Sequence, residues 1–172
     1  MSERVVSVSP ELFRSAWRKF ATGVSIVTTR QPDGGAYATT ANSVASVSLD
    51  PLLVLVSFGN GGTTHANLVR ERRFGINILR DDQAAIAQRY AASPPEERRL
   101  LPPAHRLLPS GTALLNDALA RMDCRVVSDV GAGDHTVFIA EVEHIEVSGG
   151  APLIFYDGRY GTVAEAGPEP TS

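Results

Sequence analysis

Apolar positions recur along this chain in two rhythms, and each change of rhythm marks an element. Ser9, Pro10 and Glu11 combine an N-cap, a first-position proline and an acidic first turn. Leu12, Phe13, Ala16, Trp17, Phe20 and Ala21 follow at helical spacing, which predicts an amphipathic helix over 10–21, ended by Gly23. The rhythm then shortens to two. Residues 24–29 are rich in β-branched side chains and read as a strand, while Pro32, Asp33, Gly34 and Gly35 signal a tight turn into a hairpin. The returning stretch, 38–51, is the most distinctive. Its second half alternates Ser43, Ser46 and Ser48 with Val44, Val47 and Leu49, as a half-buried strand does. No lysine or glutamate stands between Ala36 and Leu49. That polar side is short, uncharged and rich in hydroxyls. It suits contact with something planar and polar, or packing under a second strand with its hydroxyls bonded to backbone.

Residues 52–58 form a nearly continuous apolar run, as a central strand requires. A short helix is predicted over 63–70 and a strand over 73–79. Asp81 or Asp82 is placed to cap a helix reaching Tyr90, with Ala85, Ile86, Ala87 and Tyr90 inward. Prolines and charges dominate 92–110, which predicts a long irregular segment of the kind that forms lids or stays disordered. Residues 119–130 and 136–147 make a long hairpin about Gly131, Ala132, Gly133 and Asp134, and Asp157 and Gly158 turn a last hairpin. Strands outnumber helices and tight turns join neighbours. The expected fold is therefore mainly β, an antiparallel barrel with a few flanking helices, not a doubly wound parallel sheet.

The 172 residues make one domain over 1–163 with a loose tail over 164–172. A net charge of -3 supplies no basic field for nucleic acid or anionic lipid. The single cysteine, Cys124, allows no internal disulfide and fits a reducing compartment. It sits in an apolar run, as a buried structural thiol does. The first residues lack the apolar core of a signal peptide, and no apolar run approaches the ~20 residues that span a bilayer, so a cytoplasmic protein is expected.

Gly59, Asn60, Gly61, Gly62, Thr63 and Thr64 lie between a strand and a helix. Free amides, glycines and two hydroxyls there make a phosphate cradle, or else a flexible connection capped by Thr63 or Thr64. The loop lacks the lysine of a Walker sequence and the spacing of a dinucleotide fingerprint. His135 begins the strand after the Gly131–Asp134 turn and is free either to aim at a ligand or simply to be solvated. His65, His105 and His144 show no metal-ligand spacing with Cys124 or paired carboxylates, so no metal is expected. No nucleophile elbow or apolar carboxylate pair is present. An enzyme built this way leaves the difficult step to a cofactor.

Five groups of residues occur in one order along nearly the whole chain. Phe13 and Arg14 stand ahead of Phe20 to Val24; Thr40 to Ser43 precede Ser46 to Pro51. Then come Phe74 to Leu79, then Gly133, Asp134 and His135, and last Pro152 and Leu153 with Tyr156 and Tyr160. This order resembles the short-chain flavin reductase family, the FMN-binding split-barrel reductases that serve two-component flavin monooxygenases. The resemblance implies an NAD(P)H:flavin oxidoreductase with a split β-barrel fold, using FMN or FAD and NADH or NADPH. It also implies a homodimer and a separate flavin-dependent monooxygenase as partner. The family's flavin would lie along Thr39, Thr40, Ala41, Asn42 and Ser43, beside Ser57 and Phe58, with its phosphate toward Gly59, Thr63 and Thr64. Gly133, Asp134 and His135 would belong to the nicotinamide side, with His135, Asp134 and Tyr160 orienting the dinucleotide.

Several positions depart from the family pattern. Ala38 and Ala140 replace glycines, with Ala38 expected to crowd the flavin edge; Leu52 and Ala113 replace prolines. No basic residue stands between Gly59 and Thr64, so a phosphate must be met by Arg70, Arg72 or Arg73, or by dipoles alone. Two other readings stay open. One is a non-catalytic flavin- or haem-binding split barrel, with Ala38 and Ala140 closing the nicotinamide face. The other is a pyridoxamine-phosphate oxidase relative, which would want more basic residues.

Overall fold

The computed structural model describes residues 8–100 and 104–163. Its helices are α1 (Pro10–Trp17), α2 (Thr63–Glu71) and α3 (Ala84–Ala92). Its strands are β1 (Thr22–Gly23), β2 (Ser25–Arg30), β3 (Ala36–Ala41), β4 (Val44–Leu49), β5 (Leu52–Gly59), β6 (Arg73–Ile78) and β7 (Arg99–Leu100). There follow β8 (His105–Leu107), β9 (Ala113–Leu115), β10 (Ala120–Ala132), β11 (His135–Val147), β12 (Leu153–Tyr156) and β13 (Arg159–Thr162). Eight strands form an antiparallel sheet in the order β4-β5-β11-β10-β6-β2-β3-β7, with β1-β12-β13 and β8-β9 as smaller sheets. The edges β4 and β7 do not meet, so the barrel stays open within one chain. The long β10–β11 ribbon slips register after Asp123 and after Val126, and such bulges add the twist that curls a sheet.

Apolar side chains collect on both faces of the sheet. Val24, Ile26, Leu79, Ala87, Tyr90 and Leu153 pack on the α3 side. Val27, Val56, Leu68, Phe74, Ile76 and Phe138 pack on the α2 side. Ile26 and Val27 are neighbours on β2 and fall on opposite sides, as the pleat requires. Among the described residues the buried Thr22 hydroxyl, His105 Nδ1 and Arg121 Nε have no hydrogen-bond partner, but the polar groups between the central strands are satisfied. Asn77 donates to the Ile26 carbonyl (3.0 Å) and accepts from the Leu115 amide (2.8 Å), tying β6 to β2 and β9. Asn67 donates to the Thr29 hydroxyl (3.0 Å), and Thr28 donates to the Ala113 carbonyl.

Several sequence expectations are corrected. The first helix stops at Trp17 and buries none of its residues. Phe13, Trp17 and Phe20 are each 60% exposed or more, because no element of the same chain covers that side. The 38–51 stretch is not one strand but breaks at Asn42 and Ser43 into β3 and β4. Far from being half-buried, β4 is an edge strand with Leu49 at 87% exposure, since it has one neighbour and nothing layered over it. The 52–58 run is second from the edge, not central; β10 and β6 take the middle.

Neither Asp81 nor Asp82 caps α3. Both lie in a 3-10 turn, Asp81–Gln83, where the Gln83 side chain accepts from the Arg80 amide (2.9 Å). Ala85 is exposed, not inward. The described parts of 92–110 are ordered. Arg98 donates to the Ser93 and Ala91 carbonyls at the end of α3, Arg99 pairs with Asp33 (2.6 Å), and β7 and β8 pair with β3 and β9. Residues 101–103, the chain start and the 164–172 tail lie outside the described residues. Among the described residues no helix is long and apolar enough to cross a membrane.

Gly75 explains part of the Phe74–Leu79 motif. A Cβ there would meet the Thr28 hydroxyl and lie 2.7 Å from the Ala113 carbonyl oxygen, which is backbone and cannot step aside. Gly75→Ala is expected to destabilise the protein by roughly 1–3 kcal/mol, as overpacking does, read as a lowered urea midpoint at constant slope.

Candidate active site

The site is organised around β3. Thr39 and Thr40 are adjacent, so the pleat sends them to opposite faces. The Thr39 hydroxyl lies 2.5 Å from that of Thr64 in the first turn of α2. The Thr40 hydroxyl donates to the Ala87 carbonyl of α3 (2.7 Å) on the other face. Ala41 is buried in the core, whereas Asn42 and Ser43 are exposed where β3 ends. The Ser43 carbonyl accepts from the Ser57 amide (3.1 Å), which brings the half-buried Ser57 and Phe58 alongside.

Helix α2 begins at Gly62, whose side-chain position offers no cap. Neither Thr63 nor Thr64 serves as the cap. The first-turn amides therefore keep their donor capacity, beside the Thr63 and Thr64 hydroxyls and a run of glycines. From Gly59 to Ala66 there is no carboxylate to repel an anion. A phosphate group fits this donor set.

The Gly133-Asp134-His135 turn closes over the same loop. Gly59 pairs with His135 and Phe58 with Thr136, and the Asn60 amide donates to the Asp134 carbonyl (2.9 Å). Gly133 has φ +65°, a conformation glycine adopts without strain. His135 Nδ1 lies 2.8 Å from the Asp134 carboxylate, which can only accept, so Nδ1 carries the proton. This hydrogen bond holds the Asp134 carboxyl below its ordinary range. His65 and Thr136 join the site without having been expected there, and Asn60, expected only as part of the Gly59–Thr64 loop, connects them to the turn. Thr136 donates to Asn60 Oδ1 (2.7 Å), Asn60 Nδ2 donates to the Gly133 carbonyl (3.4 Å), and His65 Nε2 lies 3.1 Å from the Thr136 hydroxyl. Their polar character in the loop, helix and strand was visible, but their convergence was not.

Tyr160 lies elsewhere. It packs on Phe155 (centroids 5.4 Å apart), and burial pushes its phenol up. With Thr40, Asn42, Val24 and Ala91 these two rings line a cavity of 170 Å³. A neighbouring cleft of 220 Å³ shares Asn42 and Phe155 and is walled by Phe13, Trp17 and Phe20. Each is smaller than the ~300–1,000 Å³ of ordinary ligand pockets. Within one chain, then, Thr39 meets Thr64 at the start of α2, Gly59 pairs with His135 in the turn beyond the same loop, and Thr40, Asn42 and Tyr160 line a separate cavity. Asn42 and Ser43 stand at the break between β3 and β4.

The three candidate arginines do not face the cradle. Arg70 donates to Glu71, Asn67 and the Arg30 carbonyl, Arg72 pairs with Asp129, and Arg73 pairs with Asp123 and Glu143. Arg70 and the C-cap Arg72 stand at the far end of α2, about 10 Å or more along the axis at 1.5 Å per residue, and Arg73 opens β6 beyond it. Any phosphate is left to amides, hydroxyls and the helix dipole. Ala38 and Ala140 are fully buried in the core, so the Ala38 methyl crowds no flavin edge. Burial also pushes the Cys124 thiol up to about 12, which keeps it protonated and unreactive.

The sequence matches the family described as flavin reductase like domain over residues 17–164. It is 38% identical over 149 residues to the reductase component of 4-nitrophenol 4-monooxygenase/4-nitrocatechol 2-monooxygenase from Rhodococcus opacus, covering 87% of this chain and 78% of that protein. It is 35% identical over 166 residues to an NADH-dependent flavin reductase from Rhodococcus sp, covering 93% of this chain and 92% of that protein. Among solved structures, the flavin reductase PheA2 in its native state superposes with a TM-score of 0.82 at 37% identity, covering 92% of this chain and 100% of that one.

The Asp134–His135 contact makes a pH prediction. A carboxyl held low keeps its contact above its ordinary range and loses it as pH falls through the lowered value. In His135→Ala the Asp134 titration should move back up toward the ordinary range, as followed by carboxyl NMR.

Proposed function

The chain belongs to the flavin reductase like domain family, and from that we infer that it is an NAD(P)H:flavin oxidoreductase serving a separate monooxygenase. When bound, the flavin supplies the hydride acceptor and the nicotinamide the donor. The chain's own part is binding, alignment and water exclusion, with no side-chain acid or base needed at the hydride step. The observation that best supports this is the junction at β3, where the Thr39–Thr64 hydroxyl pair and the uncapped start of α2 sit beside the Gly133-Asp134-His135 turn.

In this reading Thr39 to Ser43 hold the edge of the flavin ring. Ser57, Gly59, Thr63 and Thr64 hold the ribityl-phosphate with backbone amides, against Phe58. Asp134 fixes the His135 ring, which orients the nicotinamide. Tyr160 completes the dinucleotide site from the separate cavity. A non-catalytic module would need Ala38 and Ala140 to close the nicotinamide face, and both methyls are spent in the core.

A homodimer is part of the proposal. Phe13, Trp17 and Phe20 on one side, with Val47, Leu49 and Leu52 on the other, are large exposed apolar groups of the kind that mark an interface. Neither small cavity accommodates a flavin alone, and a second copy would wall the site. The proposed setting is cytoplasmic, in line with a single buried thiol.

Purified protein should oxidise NADH or NADPH in the presence of free FMN or FAD, seen as loss of nicotinamide absorbance. No oxidation with any of the four pairs overturns the assignment. Thr63→Val should raise the flavin KM about tenfold or more, the cost of a hydrogen bond to a charged group, and leave the nicotinamide KM in place. Leu49→Arg should shift the protein from dimer to monomer in sedimentation velocity and weaken flavin binding; an unaltered dimer would show that β4 is not the contact.

A further inference from the structure

The Gly133-Asp134-His135 turn is exposed at the tip of a long ribbon, yet it is fastened by side chains from two other elements. The order of protons in that fastening can be read from donor capacity alone. Asn60 lies against the Gly133 carbonyl, which can only accept, so the amide nitrogen points there and Oδ1 points to Thr136. Oδ1 can only accept, so the single Thr136 hydroxyl proton is committed to it. The Thr136 oxygen must then accept from His65, which fixes His65 as the Nε2–H form. The His65 ring is held in turn by its edge on Phe138, a fully buried side chain (centroids 5.6 Å apart, planes at 62°). Thr136 itself is buried. Each donor has one place to point, so the chain His65 to Thr136 to Asn60 to Gly133 runs in one direction only.

We propose that His65, Thr136 and Asn60 are positioning residues for the hydride donor. Their one-way hydrogen-bond chain holds the Gly133-Asp134-His135 turn at a set height over the Gly59 loop, and thereby sets nicotinamide affinity without touching the nicotinamide. The proposal rests on the reading of this chain as an NAD(P)H-dependent reductase. Backbone pairing of Gly59 with His135 and the Asn60 amide bond would survive loss of the side-chain chain, so the turn would loosen and not unfold. Thr136, on the β11 strand, lies outside the flavin cradle at Thr63 and Thr64, so a change there alters the chain without altering a cradle residue.

Thr136→Val keeps the shape and β-branching but removes the hydroxyl; Thr136→Ser keeps the hydroxyl; Asn60→Ala, on the exposed loop, removes both side-chain bonds. Thr136→Val is expected to raise the KM for NADH about tenfold with the flavin KM moving less than about twofold, as loss of ordering hydrogen bonds would do, and Asn60→Ala to raise the KM for NADH by a similar factor. Thr136→Ser is expected to restore the wild-type value. Nitrogen NMR of the His65 ring gives a readout independent of turnover: one tautomer, Nε2–H, in wild type and Thr136→Ser, and a mixture in Thr136→Val. An unchanged NADH KM in both disrupting variants, or equal rises in the NADH and flavin KM of Thr136→Val, overturns the positioning role. A tautomer mixture in wild type overturns the chain itself. Wild-type protein that oxidises no nicotinamide defeats the reductase reading directly, and the positioning role falls with it, whatever the NMR shows.

Discussion

Adjacent residues on a pleated strand must face opposite sides of the sheet, and at β3 this rule divides the molecule's chemistry. Thr39 and Thr40 are chemically the same, yet one hydroxyl meets Thr64 at the start of α2 and the other meets Ala87 midway along α3. Each stitches a helix to its own face. The register that makes this so comes from the β2–β3 hairpin, where Ser25 stands opposite Ala41 and Gly34 takes φ +83° in the turn. A slip of one residue would exchange the two threonines and their faces. The polar cradle and the aromatic cavity are thus a strand's thickness apart, and they meet only where β3 gives out at Asn42 and Ser43.

The rigidity behind this arrangement comes from polar groups inside the core as much as from apolar ones. Asn77 bonds to both β2 and β9, and Thr112 and Arg73 both close on the buried Asp123 (2.6 and 2.8 Å). Each satisfied group would cost about 1–3 kcal/mol if its partner were removed, so these contacts select one packing of the strands. The candidate site uses the opposite material: loop amides, hydroxyls at the start of α2 and an exposed turn at a ribbon tip. A stiff sheet carrying a softer rim suits a protein that must admit and release two large planar molecules.

Charge is distributed to the same end. Arg70, Arg72 and Arg73 are each paired, at or beyond the end of α2 away from the glycines. An anion at the cradle would meet only amides, hydroxyls and a helix dipole, whose term is ~0.3–2 kcal/mol. The dipole alone orients a phosphate without retaining it, so the hydrogen bonds from amides and hydroxyls would carry the affinity.

Much of this was legible in local sequence, because turns and short-range periodicity are set by neighbours along the chain. Asp33 to Gly35, Gly133 with Asp134, and Asp157 with Gly158 determined the three hairpins, while the Gly59–Thr64 run left open whether a threonine caps α2, which the structure answers with an uncapped start. The ordered set of motifs determined the family and the antiparallel β architecture. Tertiary structure alone decided which way faces point and what covers them. Nothing local distinguishes Thr39 from Thr40, tells that the apolar side of α1 is left uncovered, or breaks 38–51 at Asn42. Nor does local sequence separate Tyr160 from His135, or bring Asn60, His65 and Thr136 together across 76 residues of chain. The physical reason is that a side chain's direction follows from register and layering, which depend on contacts between segments far apart in sequence.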